Sequence, residues 1–142
     1  MLSGLPGAGK DSYIQRYCKH IPVVSLDGLR ESMKVAPDDK EGNGKVVQAA
    51  KEQARVMLRA QKSFVWNATN TTRQMRTQLV ELFTTYKAAV KIVYVEAPYR
   101  LLQKQNHNRE AVVPAAVLEK LIRKLEVPAL WEAHEVVYHV QE

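Results

Sequence analysis

A chain of 142 residues, 46% hydrophobic and 25% charged, can bury one core of its own, and its composition excludes a disordered or fibrous polymer. No apolar run reaches the ~18 residues of a membrane span, and the single cysteine, Cys18, excludes an internal disulfide, as expected of a reducing cytoplasm. Lysine and arginine outnumber the acids by 21 to 15; the resulting +6 favours polyanionic partners such as nucleic acid, or serves solubility alone.

Met1 leads straight into "LSGLPGAGKDS", which leaves no room for a signal peptide. Only "MLS" precedes the glycines, so the first strand is either very short or clipped from a larger protein. Residues 11–20 read as a helix, in which Cys18 is a packed small residue beside Tyr13, Ile14 and Tyr17. The β-branched run "IPVVSL" (21–26) reads as a buried strand, and "DGLRESMK" as a short helix. "APDDKEGNG" (36–44) has loop composition. Val46, Val47, Ala50, Ala54, Met57 and Leu58 then mark one face of a long helix.

"SFVW" (63–66) is the next strand. Met75, Leu79, Leu82, Phe83 and Tyr86 predict another amphipathic helix, and "AVKIVYV" (89–95) another strand. Pro98 and Pro114 each open a helix, the first running to about Arg109, because proline suits the first helical position. "EVVYHV" (135–140) closes the chain as a strand. Strands that alternate with helices predict an α/β fold with a mainly parallel sheet, as one domain over residues 1–142. Ligands in such sheets lie beyond the carboxyl ends of the strands. Residues 4–12, 27–30 and 67–70 all sit there.

Gly4, Gly9 and Lys10 have the spacing of a phosphate-binding loop, G-x-x-x-x-G-K-[ST]. Backbone N–H groups across Gly4, Gly7, Ala8 and Gly9 converge on phosphate oxygens, and Lys10 adds a point charge toward the β- and γ-phosphates of ATP or another triphosphate. Asp11 stands where the pattern wants a hydroxyl, and Ser12 comes one place late. Many such enzymes carry an acid after a later strand that helps hold Mg²⁺, but here that region reads "VWNATN", and Asn67 and Ala68 offer no carboxylate. Asp11 therefore either takes over metal duty, since Mg²⁺ prefers oxygen ligands, or simply suits the first turn of its helix.

Asp27 follows an apolar strand, and Arg30 lies three residues on. A carboxylate there can accept the proton of an attacking hydroxyl, and the arginine can hold a nearby phosphate. The alternatives are a helix cap at Asp27 and a surface role for Arg30. In "KQNHNREAVVP", Arg109 is a candidate to neutralise transition-state charge. His20, His107, His134 and His139 lack metal-ligand spacing, and His134 reads as structural. Trp66 and Trp131 read as core or partly buried packing residues.

Taken in order, "GLPGAGKDS", the D-x-x-R of Asp27 and Arg30, the "ATN" of Ala68, Thr69 and Asn70, the following Arg76, and "QNHNREAVVP" resemble the polynucleotide 5′-hydroxyl kinase family of phage and bacterial end-healing enzymes. "WEAHEV" is similar to the tail of bacterial kinases fused to phosphoesterase domains. The resemblance implies a P-loop kinase fold with a helical lid. It implies ATP-dependent, Mg²⁺-requiring transfer of the γ-phosphate to 5′-hydroxyl ends of DNA or RNA in nucleic-acid repair, and a fused or associated phosphoesterase or ligase domain. By the same resemblance Lys10 contacts the donor phosphates, Ser12 or Asp11 the metal, and Asp27 is the general base. Arg30 grips the acceptor's adjoining 3′-phosphate, Arg109 is the lid arginine, and Thr69 and Asn70 line the site's wall. Gln105 departs from the family, standing where the lid often begins with arginine. The rival readings are a P-loop kinase of a small molecule, such as a nucleoside, sugar or antibiotic, and a catalytically weak nucleotide-binding module.

Overall fold

The computed structural model describes residues 1–108 and 113–141. Its elements alternate as β1 (Leu2–Ser3), α1 (Lys10–Tyr17), β2 (Val23–Ser25), α2 (Leu26–Met33), α3 (Lys40–Arg59), β3 (Val65–Asn67), α4 (Arg73–Thr85), β4 (Lys91–Glu96), α5 (Tyr99–His107), α6 (Ala115–Lys124), a 3-10 turn (Leu130–Glu132) and β5 (Glu135–Val140). Every pairing is parallel: β1 lies beside β4, β4 beside β5, and β2 beside β3. No described helix is long and apolar enough to cross a membrane.

The two halves of the sheet meet where β1 faces β3. The Gly4 N–H donates to the Thr69 carbonyl at 2.8 Å. Two side chains complete the join: the Ser3 hydroxyl donates to the Asn70 carbonyl at 2.8 Å, and the Asn70 amide donates to the Leu2 carbonyl at 2.7 Å. Asn70 holds this position in the left-handed region at φ 45°, which asparagine tolerates better than most residues.

Alternation along each short strand sends neighbours to opposite faces. Val24 and Trp66 face α3 and α4, where Val46, Ala50, Ala54, Leu58, Leu79 and Phe83 fill one core. Val65, Val93 and Val95 face α1 and α6 and pack with Leu118, Tyr13 and Ile14. Each fully buried side chain of this size is worth about 1.5–3 kcal/mol in transfer alone.

Three expectations are corrected. The loop read at 36–44 stops early, because α3 begins at Lys40. Asp39 caps it by accepting the Gly42 N–H at 2.9 Å, and a Cβ at residue 42 would collide with that carboxylate and with Val35. The glycine that suggested a loop is thus what allows the cap to close. On α4, Met75 is exposed while Arg76 turns inward, fully buried. Trp131 is not a packing residue: it is 71% exposed, with the Arg73 guanidinium over its ring at 5.3 Å. Trp66 lies in the core as expected.

Candidate active site

The loop between β1 and α1 takes its shape from two glycines in the left-handed region, Gly7 at φ 82° and Gly9 at φ 103°. A Cβ on Gly7 would run into the Leu102 carbonyl, so α5 packs directly on the loop. Gly9 is the N-cap of α1 and brings no side-chain bond to the helix start, leaving the first N–H groups aimed at the loop's concavity. The Lys10 ammonium arches back and donates to the Gly4 and Leu5 carbonyls, at 2.8 and 3.0 Å. That geometry places its charge over the loop.

Asp11 and Ser12 occupy the exposed first turn of α1. Asp11 is joined to the end of β3, where the Asn67 amide donates to Oδ1 at 2.9 Å. Among the described residues no group of three or more His, Cys, Asp or Glu side chains converges as a metal cage. The oxygen donors of Asp11 and Ser12 fit Mg²⁺, which is held by one or two protein oxygens plus substrate phosphates rather than by an all-protein cage.

At the end of β2, the structure removes the capping role for Asp27. Ser25 caps α2, accepting the Gly28 N–H at 3.1 Å, so Asp27 is not the cap. The Asp27 side chain is 64% exposed, and its Oδ1 accepts from the Arg30 guanidinium at 2.6 Å. Arg30 also donates through Nε to Asn43 Oδ1 at 2.7 Å. Asn43 in turn is fixed by donating to the Ala36, Pro37 and Asp39 carbonyls. Asn43 escaped the sequence reading because it stands in the stretch taken for a loop.

Asn70 serves the join of the sheet: it is 2% exposed, and its carbonyl also accepts from Arg76 at 2.9 Å, while Thr69 is half-buried and lends its carbonyl to the same join. Arg109 lies outside the described residues. Beside that segment Asn106 holds both polar groups of Val113, donating to its carbonyl at 2.7 Å and accepting its N–H at 3.0 Å. Gln105 reaches Gln141 at 3.3 Å, and Gln141 lies against Gly9, where any Cβ would strike it. Gln141 carried no signal in the sequence beyond its position after a strand, and Asn67 only that of an acid missing there.

Other polar groups are structural. His134 Nδ1 accepts the Val90 N–H at 3.0 Å. Burial first, then the Glu96 carboxylate, push the Tyr94 phenol up to about 12, so it stays a neutral donor to Glu96. A mainly apolar pocket of about 230 Å³ lies behind the loop, and among the described residues its lining combines Leu5, Ala8, Ala97 and Leu102 with the hydrogen-bonded pair Tyr94 and Glu96.

The profile of the family described as an AAA domain, AAA_33, matches residues 1–128. The L-seryl-tRNA(Sec) kinase of Methanococcus maripaludis is 22% identical over the whole of this chain, which spans 59% of that protein's length. A kinase-assigned structure from Chloroflexus aurantiacus superposes with TM-score 0.75 at 16% identity, covering 98% of this chain and 85% of that one. A sugar kinase from Janibacter sp. HTCC2649 gives 0.70 at 16% identity, with 98% and 82% covered. Kti12 of Chaetomium thermophilum, solved with ADP-AlF3, gives 0.70 at 15% identity, with 99% and 88% covered. The resemblance drawn from the sequence holds at the level of the P-loop kinase fold, and these relatives lend no specific support to polynucleotide ends. With its glycine loop, parallel sheet and flanking helices, the chain belongs to the AAA_33 family and has the α/β P-loop kinase fold.

Proposed function

We propose that this protein transfers the γ-phosphoryl group of ATP to the hydroxyl of a small molecule, and that Asp27 is its general base. The carrying observation is the fixed chain Asp27–Arg30–Asn43 at the carboxyl end of β2. The acceptor oxygen attacks the γ-phosphorus, the bond to the β,γ-bridging oxygen breaks, ADP leaves, and the hydroxyl proton passes to the Asp27 carboxylate. The loop amides and Lys10 hold the donor phosphates, and Asp11 and Ser12 hold Mg²⁺. Bound Mg²⁺ supplies charge neutralisation on the β- and γ-oxygens. Arg30 already donates to Asp27 and Asn43, so its first duty is to aim the base; this favours a small acceptor over one gripped by an adjoining phosphate.

A second reading keeps polynucleotide 5′-hydroxyl ends as acceptor. The +6 charge favours it, as does the likeness to a kinase named for a tRNA-borne substrate. Radiolabel transfer from ATP separates the two, using a panel of free serine, hexoses, nucleosides, a nucleoside 3′-monophosphate and a 5′-hydroxyl oligonucleotide. The small-molecule reading expects its best kcat/KM on one of the free alcohols. A best rate on the oligonucleotide installs the second reading, and no transfer to any acceptor overturns both.

A further inference from the structure

We infer that the carboxylate and its polar partner have exchanged places in this loop, so that Asp11 is the metal's protein carboxylate and Asn67 is its positioning residue. The usual arrangement in P-loop NTPases puts a hydroxyl after the loop lysine and an aspartate after a later strand, with both serving one Mg²⁺. Here the order is reversed: Asp11 follows Lys10, and the neutral Asn67 ends β3. The two are in direct contact, Asn67 Nδ2 to Asp11 Oδ1 at 2.9 Å across 56 residues of sequence. This rests on the kinase reading above and assigns the metal duty within that same site.

Four features support exchange over coincidence. The contact joins the two places from which the usual ligands come, the first turn of α1 and the end of β3. An amide is the right complement for a relocated carboxylate. A second acid at residue 67 would place two negative charges in hydrogen-bond range, and one of them would take up a proton. Asn67 instead donates to one oxygen and fixes the rotamer of Asp11, as partners outside the ligand sphere orient metal ligands elsewhere. Asn67 is itself held in register, since β3 pairs with β2 through Ser25 opposite Asn67. Ser12, one place late for the usual pattern, keeps a hydroxyl in the same turn.

The test is reciprocal substitution, read by calorimetric binding of ADP with Mg²⁺ and with EDTA, so that no turnover is needed. In the wild type, ADP binds more tightly with Mg²⁺. Asp11→Ser and Asn67→Ala should each cut that Mg²⁺ advantage by about 10- to 100-fold or abolish it, with affinity in EDTA within about threefold of wild type. The double variant Asp11→Ser/Asn67→Asp restores the usual arrangement and should recover the advantage to within about threefold of wild type. Circular dichroism and a thermal melt on each variant show whether it is folded, and Mn²⁺ resonance titration with ADP, run on the wild type and on each variant, reads the metal affinity directly. A double variant no better than Asp11→Ser alone, or an Asp11→Ser enzyme with its Mg²⁺ advantage intact, overturns the exchange and leaves the kinase reading standing. A wild type that binds no ADP overturns both.

Discussion

Arg76 and Glu132 meet side by side across 56 residues of sequence, Nε to Oε1 at 2.8 Å and the second nitrogen to Oε2 at 3.2 Å. Both side chains are sealed, at 0% and 3% exposure. Arg76 also holds the Asn70 carbonyl, and Glu132 accepts the Ala129 N–H at 2.7 Å. The pair therefore ties α4, the sheet's midline and the approach to β5 into one network. Arg76→Met strands a buried carboxylate and should cost about 3–5 kcal/mol. Urea unfolding by circular dichroism measures it, and a loss under 1 kcal/mol would show that the pair carries no weight.

The same pair sets a pH dependence. Burial alone would raise the Glu132 carboxyl, but the Arg76 hydrogen bond, the Ala129 N–H and the charges of Arg76 and Arg73 together hold it below its usual 4.5. A carboxyl with a lowered folded pKa adds stability that is present above 4.5 and is lost as pH falls through the folded value. Glu132→Gln should flatten that part of the acid limb while lowering stability at neutral pH. An acid-unfolding curve of unchanged steepness below pH 4.5 would assign the limb to other carboxylates.

Lys10→Ala should abolish phosphoryl transfer and leave the melting temperature within a few degrees, because the ammonium donates to the Gly4 and Leu5 carbonyls of the loop rather than filling either core cluster. Radiolabel transfer and a thermal melt, run on the same preparation, decide it. Retained turnover would remove the loop from the chemistry.

Asp27→Asn keeps shape but cannot take a proton at neutral pH. A kcat loss of roughly 10²- to 10⁴-fold is expected, with ATP affinity little changed. Arg30→Ala should act on the same quantity through the aim of the base. The double variant should then lose little more than Asp27→Asn alone, since the two act as one unit. Full additivity in a double-mutant cycle would separate Arg30 from the base.

The elements were legible because each has its own period or cap. β4 came from "KIVYV", and α3 from the spacing of Val46, Ala50, Ala54 and Leu58. The glycine loop announced its spacing outright. What stayed hidden depended on contacts distant in sequence. Nothing near Arg76 reveals that Glu132, 56 positions on, will bury it, and an arginine ordinarily reads as surface. Trp131 misled in the opposite sense, since a large aromatic ordinarily packs inside. Asn43 and Gly42 were hidden by composition, because a capped helix start uses the same residues as a loop. Asn67 was visible only as a missing acid; its hydrogen bond to Asp11 needed the fold to bring the two strand ends together.

The join of the sheet has a further consequence. Between β1 and β3 one rung is backbone to backbone, from Gly4 to Thr69, and the others are lent by Ser3 and Asn70. Any sequence can supply a ladder rung from its main chain; a borrowed rung vanishes with a single codon. Alignment across the midline is therefore inherited through two particular side chains, and the glycine loop springs from that same line. Loss of either side chain should loosen the line between the loop side and the β2–β3 side, leaving the Gly4–Thr69 rung and the Asn67–Asp11 bond to hold it. The glycine loop and the proposed base thus belong to different halves of the sheet, and the proposed donor and acceptor sites meet across that one seam.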